Sequence, residues 1–211
     1  MYLPRHFEQS DPAALATLMR EHPLATLVVP APSGPSADLI PLEFHAGAGS
    51  QGVLRGHVAR ANPLWQRQGD QVLAVFHGPQ AYISPGWYAS KREHSKVVPT
   101  WNYTMVQVRG TLRAIDNAPW LRELVGQLTE HHEADQAQPW AVTDAPEDFV
   151  GQMLRAIVGI EIDITSIVGK WKVSQNRSEA DRLGVAEGLA TRPGDAPAMA
   201  AAVRDGGASK S

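Results

Sequence analysis

Apolar positions alternate with polar ones through much of the first half of the chain, and recur at helical spacing near its start and through its second half. Ser10, Asp11 and Pro12 offer a side-chain acceptor at a helix N-cap followed by proline at the first helical position, where its missing N–H costs nothing. Leu15, Leu18 and Met19 then follow at helical spacing, and His22-Pro23 ends the helix. Residues 24–30 are apolar and β-branched, and Pro32 to Pro35 turn the chain. From Asp38, the residues Ile40, Leu42 and Phe44 share one face, with Glu43 and His45 off it, which predicts a half-buried strand paired with the preceding one. A further strand is predicted over 52–56 and a short helix from the Asn62 cap to about Gln68. Residues 72–76 are apolar at every position, as in a strand covered on both faces, and Gly78-Pro79 predicts a turn after it.

Residues 82–103 follow, with Trp87, Tyr88, Trp101 and Tyr103 interleaved among Lys91, Arg92 and Lys96. Proline and glycine break this stretch too often for a core strand, and its aromatic content is too high for a solvated linker. It predicts a shaped loop. Residues 105–115 read as a long strand with a bulge or bend at Gly110. Two amphipathic helices start at Asn117 and near Asp144, and Ile160, Ile162 and Ile164 then alternate with Glu161, Asp163 and Thr165 in the clearest period-2 strand of the chain. Lys170 to Asn176 lead away from it, Ser178 caps a helix to about Leu189, and from Thr191 alanine, glycine, proline and serine dominate without periodicity. Strands do not alternate regularly with helices, which excludes a doubly wound parallel sheet. The expected fold is mainly β with flanking helices (α+β), a six-stranded antiparallel barrel over residues 1–189, with 190–211 as a flexible C-terminal tail.

Composition narrows the function. The chain has 211 residues, 43% hydrophobic and 19% charged, with a net charge of −3, so a dedicated basic nucleic-acid domain is not expected. DNA as a partner finds no support in the net charge or in a readable helix-turn-helix. Cysteine is absent, which removes disulfides, thiolate metal sites and a cysteine nucleophile. No stretch has the apolar length of a signal peptide or membrane helix, so a cytoplasmic protein is expected.

Candidate chemistry follows from a few motifs. Gly47 to Gly52 match G-x-G-x-x-G, but a dinucleotide fingerprint needs a helix next and Val53-Leu54-Arg55 read as a strand; the loop is a hairpin connection. His131 and His132 are adjacent on a helix, diverge by about 100°, and do not share one metal ion. No metal site is expected. At residues 56–63 a strand ends, Arg60 follows, and a helix begins at Asn62, an arrangement that suits a phosphate through a guanidinium and free backbone N–H groups. The alternative is an ordinary capped helix with a surface arginine. The aromatic and basic residues of 82–103 suit a flavin ring, single-stranded nucleic acid or a barrel-closing loop. No G-x-S-x-G elbow supports a serine hydrolase.

Five blocks in order, MYLPRHF at the start, GHVARANPLW at 56–65, YISPGWY at 82–88, KVVPTWNY at 96–103 and KWKVSQNRSEADR at 170–182, resemble the PaiB-type FMN-binding negative transcriptional regulators. The resemblance runs from residue 1 to about 189. It implies an FMN-binding split β-barrel, similar to pyridoxamine-phosphate oxidase and flavin reductases, that forms a homodimer with flavin at the subunit interface. It implies an isoalloxazine against the strand of Ile40 and Leu42, with ribityl and phosphate along His57, Val58, Arg60 and Asn62. Lys96, Trp101 and Asn102 are then expected at the ring or phosphate, and Lys172, Gln175 and Asn176 to come from the second subunit. Two other activities fit the same fold: a small flavin-dependent oxidoreductase and a haem-binding relative. Whether the chain is an enzyme is left open by its residues.

Overall fold

The structure is a computed structural model that describes residues 1–206; the last part of the expected tail, 207–211, lies outside the described residues. In chain order the elements are β1 (Glu8–Gln9), α1 (Pro12–Glu21), β2 (Leu24–Val29), β3 (Ser36–Pro41), β4 (Glu43–His45), β5 (Val53–Ala59) and β6 (Gln71–Ile83). They continue with α2 (Lys91–His94), β7 (Thr100–Ile115), α3 (Ala118–Glu133), α4 (Glu147–Arg155), β8 (Ile157–Lys172), α5 (Glu179–Ala190) and α6 (Ala196–Arg204).

The strand order is β3-β2-β6-β7-β8-β5-β4, with β1 added on β8. Eight strands replace the expected six because β1 is only two residues long and because the alternating stretch from Asp38 is two strands. The break falls at Leu42, whose N–H donates to the Pro23 carbonyl at 2.9 Å. Before it, β3 pairs antiparallel with β2 from Leu24↔Pro41 to Val29↔Ser36; after it, β4 pairs with β5 from Glu43↔Arg55 to His45↔Val53. The strands at the two ends of the order are therefore joined by one residue. Gly56 of β5 makes the approach possible, because a Cβ there would lie 2.6 Å from the Pro41 carbonyl oxygen and 2.9 Å from Leu42 Cδ2. The sheet rolls into a barrel at this seam.

The chain forms two compact units, and β6, β7 and β8 each run through both. One unit comprises Pro23–Ala74 and Val108–Ser166. Its interior is aliphatic, with Leu27, Leu42, Leu54, Ile160 and Ile162 fully buried. Glu161 is buried too, and it is paired rather than stranded: Arg55 Nε lies 2.7 Å from one carboxylate oxygen and Arg113 3.3 Å from the other, as burial of a charge demands. Asn117 caps α3 by accepting from the Trp120 N–H, and α3 and α4 pack through Leu121, Val150 and Leu154. At Gly110 a Cβ would sit 2.4 Å from the Asp163 carbonyl oxygen and 2.6 Å from Ile162 Cγ2. Close backbone approach is thus what requires glycine there. Gly110→Ala is expected to cost about 1–3 kcal/mol in urea denaturation; an unchanged midpoint would show that β8 yields to the methyl group.

The other unit comprises Met1–His22, Val75–Gln107 and the chain from Ile167 on. Asp11 caps α1 by accepting from the Ala13 N–H at 3.1 Å. Gly78-Pro79 do not turn the chain: β6 continues to Ile83, and the glycine admits Thr104 Oγ1, which would lie 2.2 Å from an added Cβ. Likewise β8 does not end before Lys170 but carries on to Lys172. The 82–103 stretch is less loop-like than its composition, since Ile83 and Tyr88 join a core with Val173, Val185, Leu189, Met199 and Val203. Gly184 and Gly188 let α5 approach Trp87, because Cβ atoms there would fall 2.2 Å from its carbonyl oxygen and 2.4 Å from its indole.

Residues after Thr191 depart most from expectation. Ala196–Arg204 form a helix, and Ala196, Met199, Ala200 and Val203 are buried against α5 and its surroundings. The stretch reads as low-complexity because alanine recurs on both faces of the helix and makes up half of its buried positions. Alanine is the strongest helix former, and apolar side chains at i, i+3, i+4 and i+7 give the helix one face to bury.

Candidate functional site

The twelve residues expected around a flavin divide between the two units. Ile40, Leu42, His57, Val58, Arg60 and Asn62 belong to the first unit described. Ile40, Leu42 and Val58 are core side chains, 4%, 0% and 6% exposed, so only backbone or the opposite strand face, where Leu39 is exposed, is left there for a ligand. His57, opposite Gly159 in the β5–β8 register, is half-buried. Its Nδ1 is buried and has no hydrogen-bond partner, and burial lowers its pKa below the usual histidine value. It is therefore a neutral imidazole at physiological pH with a ring nitrogen to spare.

Arg60 is more committed than its sequence position suggests. Its Nε donates to the Arg155 carbonyl at 2.7 Å, two terminal nitrogens grip the Asp116 carboxylate at 2.7 and 2.8 Å, and one of these also donates to the Ile157 carbonyl at 3.0 Å. Four of the five guanidinium N–H groups are thus spoken for. The hydrogen bond to Arg60 holds the Asp116 carboxyl below the usual carboxylate range, and the same bond raises the arginine. Asn62 caps a single 3-10 turn (Pro63–Arg67) by accepting from the Leu64 N–H at 2.9 Å. Trp65 Nε1 donates to the Arg60 carbonyl at 3.0 Å and fixes the strand end.

Lys96, Trp101, Asn102, Lys172, Gln175 and Asn176 fall in the second unit, and the fold brings them together from two segments. Asn102 is buried and donates to Ser174 Oγ at 2.9 Å; Ser174 has a left-handed φ of 65° that turns the chain out of β8. Lys172 Nζ donates to Thr100 Oγ1 and to the Trp101 carbonyl. Burial lowers its pKa, and the positive charges of Lys170 and Arg177 act in the same direction. Trp101 is 55% exposed and meets Tyr82 edge-on at 6.2 Å. Gln175 folds back, accepting from the Val173 N–H at 2.8 Å. Lys96 and Asn176 line an open cavity of about 670 Å³ in this unit.

Residues with no forecast role also stand here. Lys170 is buried, donates to the Tyr2 carbonyl at 3.0 Å, and lies 5.7 and 5.4 Å from the Tyr2 and Tyr103 rings, a caged cation rather than a solvated one. Ser90, Arg177 and Asp181 line the same cavity as Lys96. In the sequence Arg177 and Asp181 belong to the 170–182 block and Ser178–Asp181 reads as a helix start; the partner of Asp181 is Ser90, far away in the chain.

Among known proteins, the model of a family described as "Putative FMN-binding domain" matches residues 1–166. The protease synthase and sporulation protein PAI 2 of Bacillus subtilis is 32% identical, over 90% of this chain and 89% of its own. An uncharacterized protein of Emericella nidulans is 33% identical over 90% of each chain. In solved structures the fold is similar to the flavocytochrome Anf3 from Azotobacter vinelandii, with a TM-score of 0.57 at 12% identity over 81% of this chain and 72% of that one. It is similar as well to the FAD and heme binding protein from Mycobacterium smegmatis, with a TM-score of 0.58 at 16% identity over 78% and 73%. At such identities the likeness is one of fold, the flavin-binding split barrel. Matched over most of its length by sequence and by fold, the chain belongs to the PaiB-type family of FMN-binding proteins, with FMN as its cofactor.

Proposed function

We propose that this protein is an FMN-binding negative transcriptional regulator, PaiB-like, with the flavin held at a homodimer interface. The observation that carries the reading is the likeness to the Bacillus subtilis sporulation protein over nine-tenths of both chains. The residues fit the cofactor. His57 offers a buried, unpartnered ring nitrogen on the strand where the ribityl and phosphate are expected, and Arg60 keeps one N–H beyond those its protein partners use. Trp101 offers an exposed flat face. When bound, FMN supplies redox chemistry; the chain binds it, orients it and controls access. Regulation then means that flavin occupancy biases contact with DNA or another protein.

The test begins with the visible spectrum of the purified protein, in which an oxidised flavin is expected; a colourless protein that takes up no FMN overturns the reading. Salt-dependent, sequence-specific retardation of promoter DNA supports direct repression. Arg60→Ala is expected to weaken FMN binding in equilibrium dialysis, with melting followed in parallel because Arg60 also holds Asp116. Unchanged affinity removes Arg60 from the site.

A second reading, a flavin-dependent oxidoreductase, has Lys172 in its favour. A half-buried ammonium with a lowered pKa, held by Thr100 and the Trp101 carbonyl, gives up a proton more readily than a solvated lysine. Steady NAD(P)H oxidation by the FMN-loaded protein selects this reading.

A further inference from the structure

The 670 Å³ cavity lies within one unit, and its walls are the α2 turn and the segment joining β8 to α5. None of His57, Val58, Arg60 or Asn62 lines it, whereas Lys96 and Asn176 of the residues expected at the flavin do. Lys96 and His94 reach it from one wall, Arg177 and Asn176 from the other. The Lys96 ammonium has no hydrogen-bond or ion-pair partner among the described residues, and the Arg177 guanidinium is laid over the Tyr88 ring at 4.9 Å from its centroid, which fixes the plane of its donors.

Two acids also border the cavity, and they differ in kind. Asp181 is 4% exposed, and its oxygens accept from the Ser90 N–H and the Ser90 hydroxyl, both at 2.9 Å. That carboxylate is spent on tying α5 to the turn before α2. Glu93 alone is exposed. Asp181 keeps its charge, so two cations and two carboxylates border the cavity, but the Asp181 oxygens are turned onto Ser90, which leaves Lys96, Arg177 and His94 to face a ligand. Convergent cationic donors on a rigid frame are what a phosphate group is held by. The volume exceeds that of a bare phosphate and leaves room for the molecule that carries it.

We propose that this cavity is a second ligand site, for a small phosphate-bearing molecule, separate from the flavin phosphate. The inference rests on the reading that the flavin phosphate lies along His57–Asn62. A ligand here bridges the α2 turn and the α5 start, and supplies the protein with an input besides flavin.

Calorimetry of the FMN-loaded 211-residue chain with inorganic pyrophosphate as probe tests it, with the FMN-free chain in parallel. Saturable binding that FMN does not compete for is expected, weakened about tenfold or more in Arg177→Gln. His94→Ala, at an exposed position, is expected to weaken it less and guards against a folding defect in the first variant. No binding, or equal binding by wild type and both variants, overturns the site. Competition between pyrophosphate and FMN also overturns it, by placing the flavin's own phosphate in this cavity. If the protein takes up no FMN yet binds pyrophosphate, the flavin reading fails and the cavity stands.

Discussion

Met199→Ala is expected to lower the unfolding free energy by about 2–5 kcal/mol, read as a shifted urea midpoint with an unchanged slope. Met199 is fully buried and packs in one cluster with Val185, Leu189, Tyr88, Ile83 and Val203. Truncation to alanine removes the transfer free energy of three heavy atoms and leaves a cavity bounded by α5, which is pinned to Trp87 through Gly184 and Gly188 and has little freedom to collapse. The chain has no cysteine, so no disulfide holds α6 in place, and its seating draws on apolar burial. A midpoint unmoved by the substitution would show α6 to be a detachable tail. Deletion of 191–211 is expected to act in the same direction, since it uncovers Leu189 and Val185.

The second large effect is expected at Asp181. Asp181→Ala leaves the Ser90 N–H and hydroxyl without their protein acceptor; at about 1–3 kcal/mol for each unpaired donor, and with Ser90 half-buried so that water recovers part, the loss is about 2–4 kcal/mol. Its sign with pH follows from the carboxyl. Burial on its own raises the Asp181 pKa, but the Ser90 N–H and hydroxyl, Ser178 and the charge of Arg177 outweigh it, and the pKa is lowered from the ordinary 3.8. A group whose folded pKa lies below its unfolded one contributes in full above the unfolded value and loses that contribution as pH falls through the folded value. The stability gap between wild type and Asp181→Asn is therefore expected to be constant at neutral pH and to shrink below about pH 4. A gap that does not narrow in acid would mean that the charge of Asp181 contributes nothing and only its shape matters.

Local patterning and capping were legible in the chain: Asp11, Asn62, Asn117 and Ser178 all accept from backbone N–H groups where the sequence places helix starts. Ile160, Ile162 and Ile164 are buried as their period predicts. What local pattern does not carry is the partner. Leu42 fits one continuous alternation, and only its bond to Pro23 shows that a second strand starts after it. Gly78-Pro79 have turn composition, yet the neighbouring Thr104 and Leu18 are what make a glycine necessary in a continuous strand. Arg60 reads as a free cation until Asp116 is brought beside it. Lys170, Arg177 and Asp181 stand in the 170–182 block, but the role of each is set by a residue remote in sequence.

The one-residue passage from β3 to β4 also bears on how the protein folds. The contacts of β2, β3, β4 and β5 join segments close in sequence, so forming them sacrifices little chain entropy. Closing the circuit on the other side is different, because β5 meets β8 with Val53 opposite Asp163, across about half of the chain. Rates fall as such distant pairings dominate, so docking of β8 is expected to limit refolding. In stopped-flow refolding, Ile162→Val is then expected to slow the rate more than Leu27→Ala does for the same loss of stability. The reverse order would place the seam, and not β8, at the summit of the barrier.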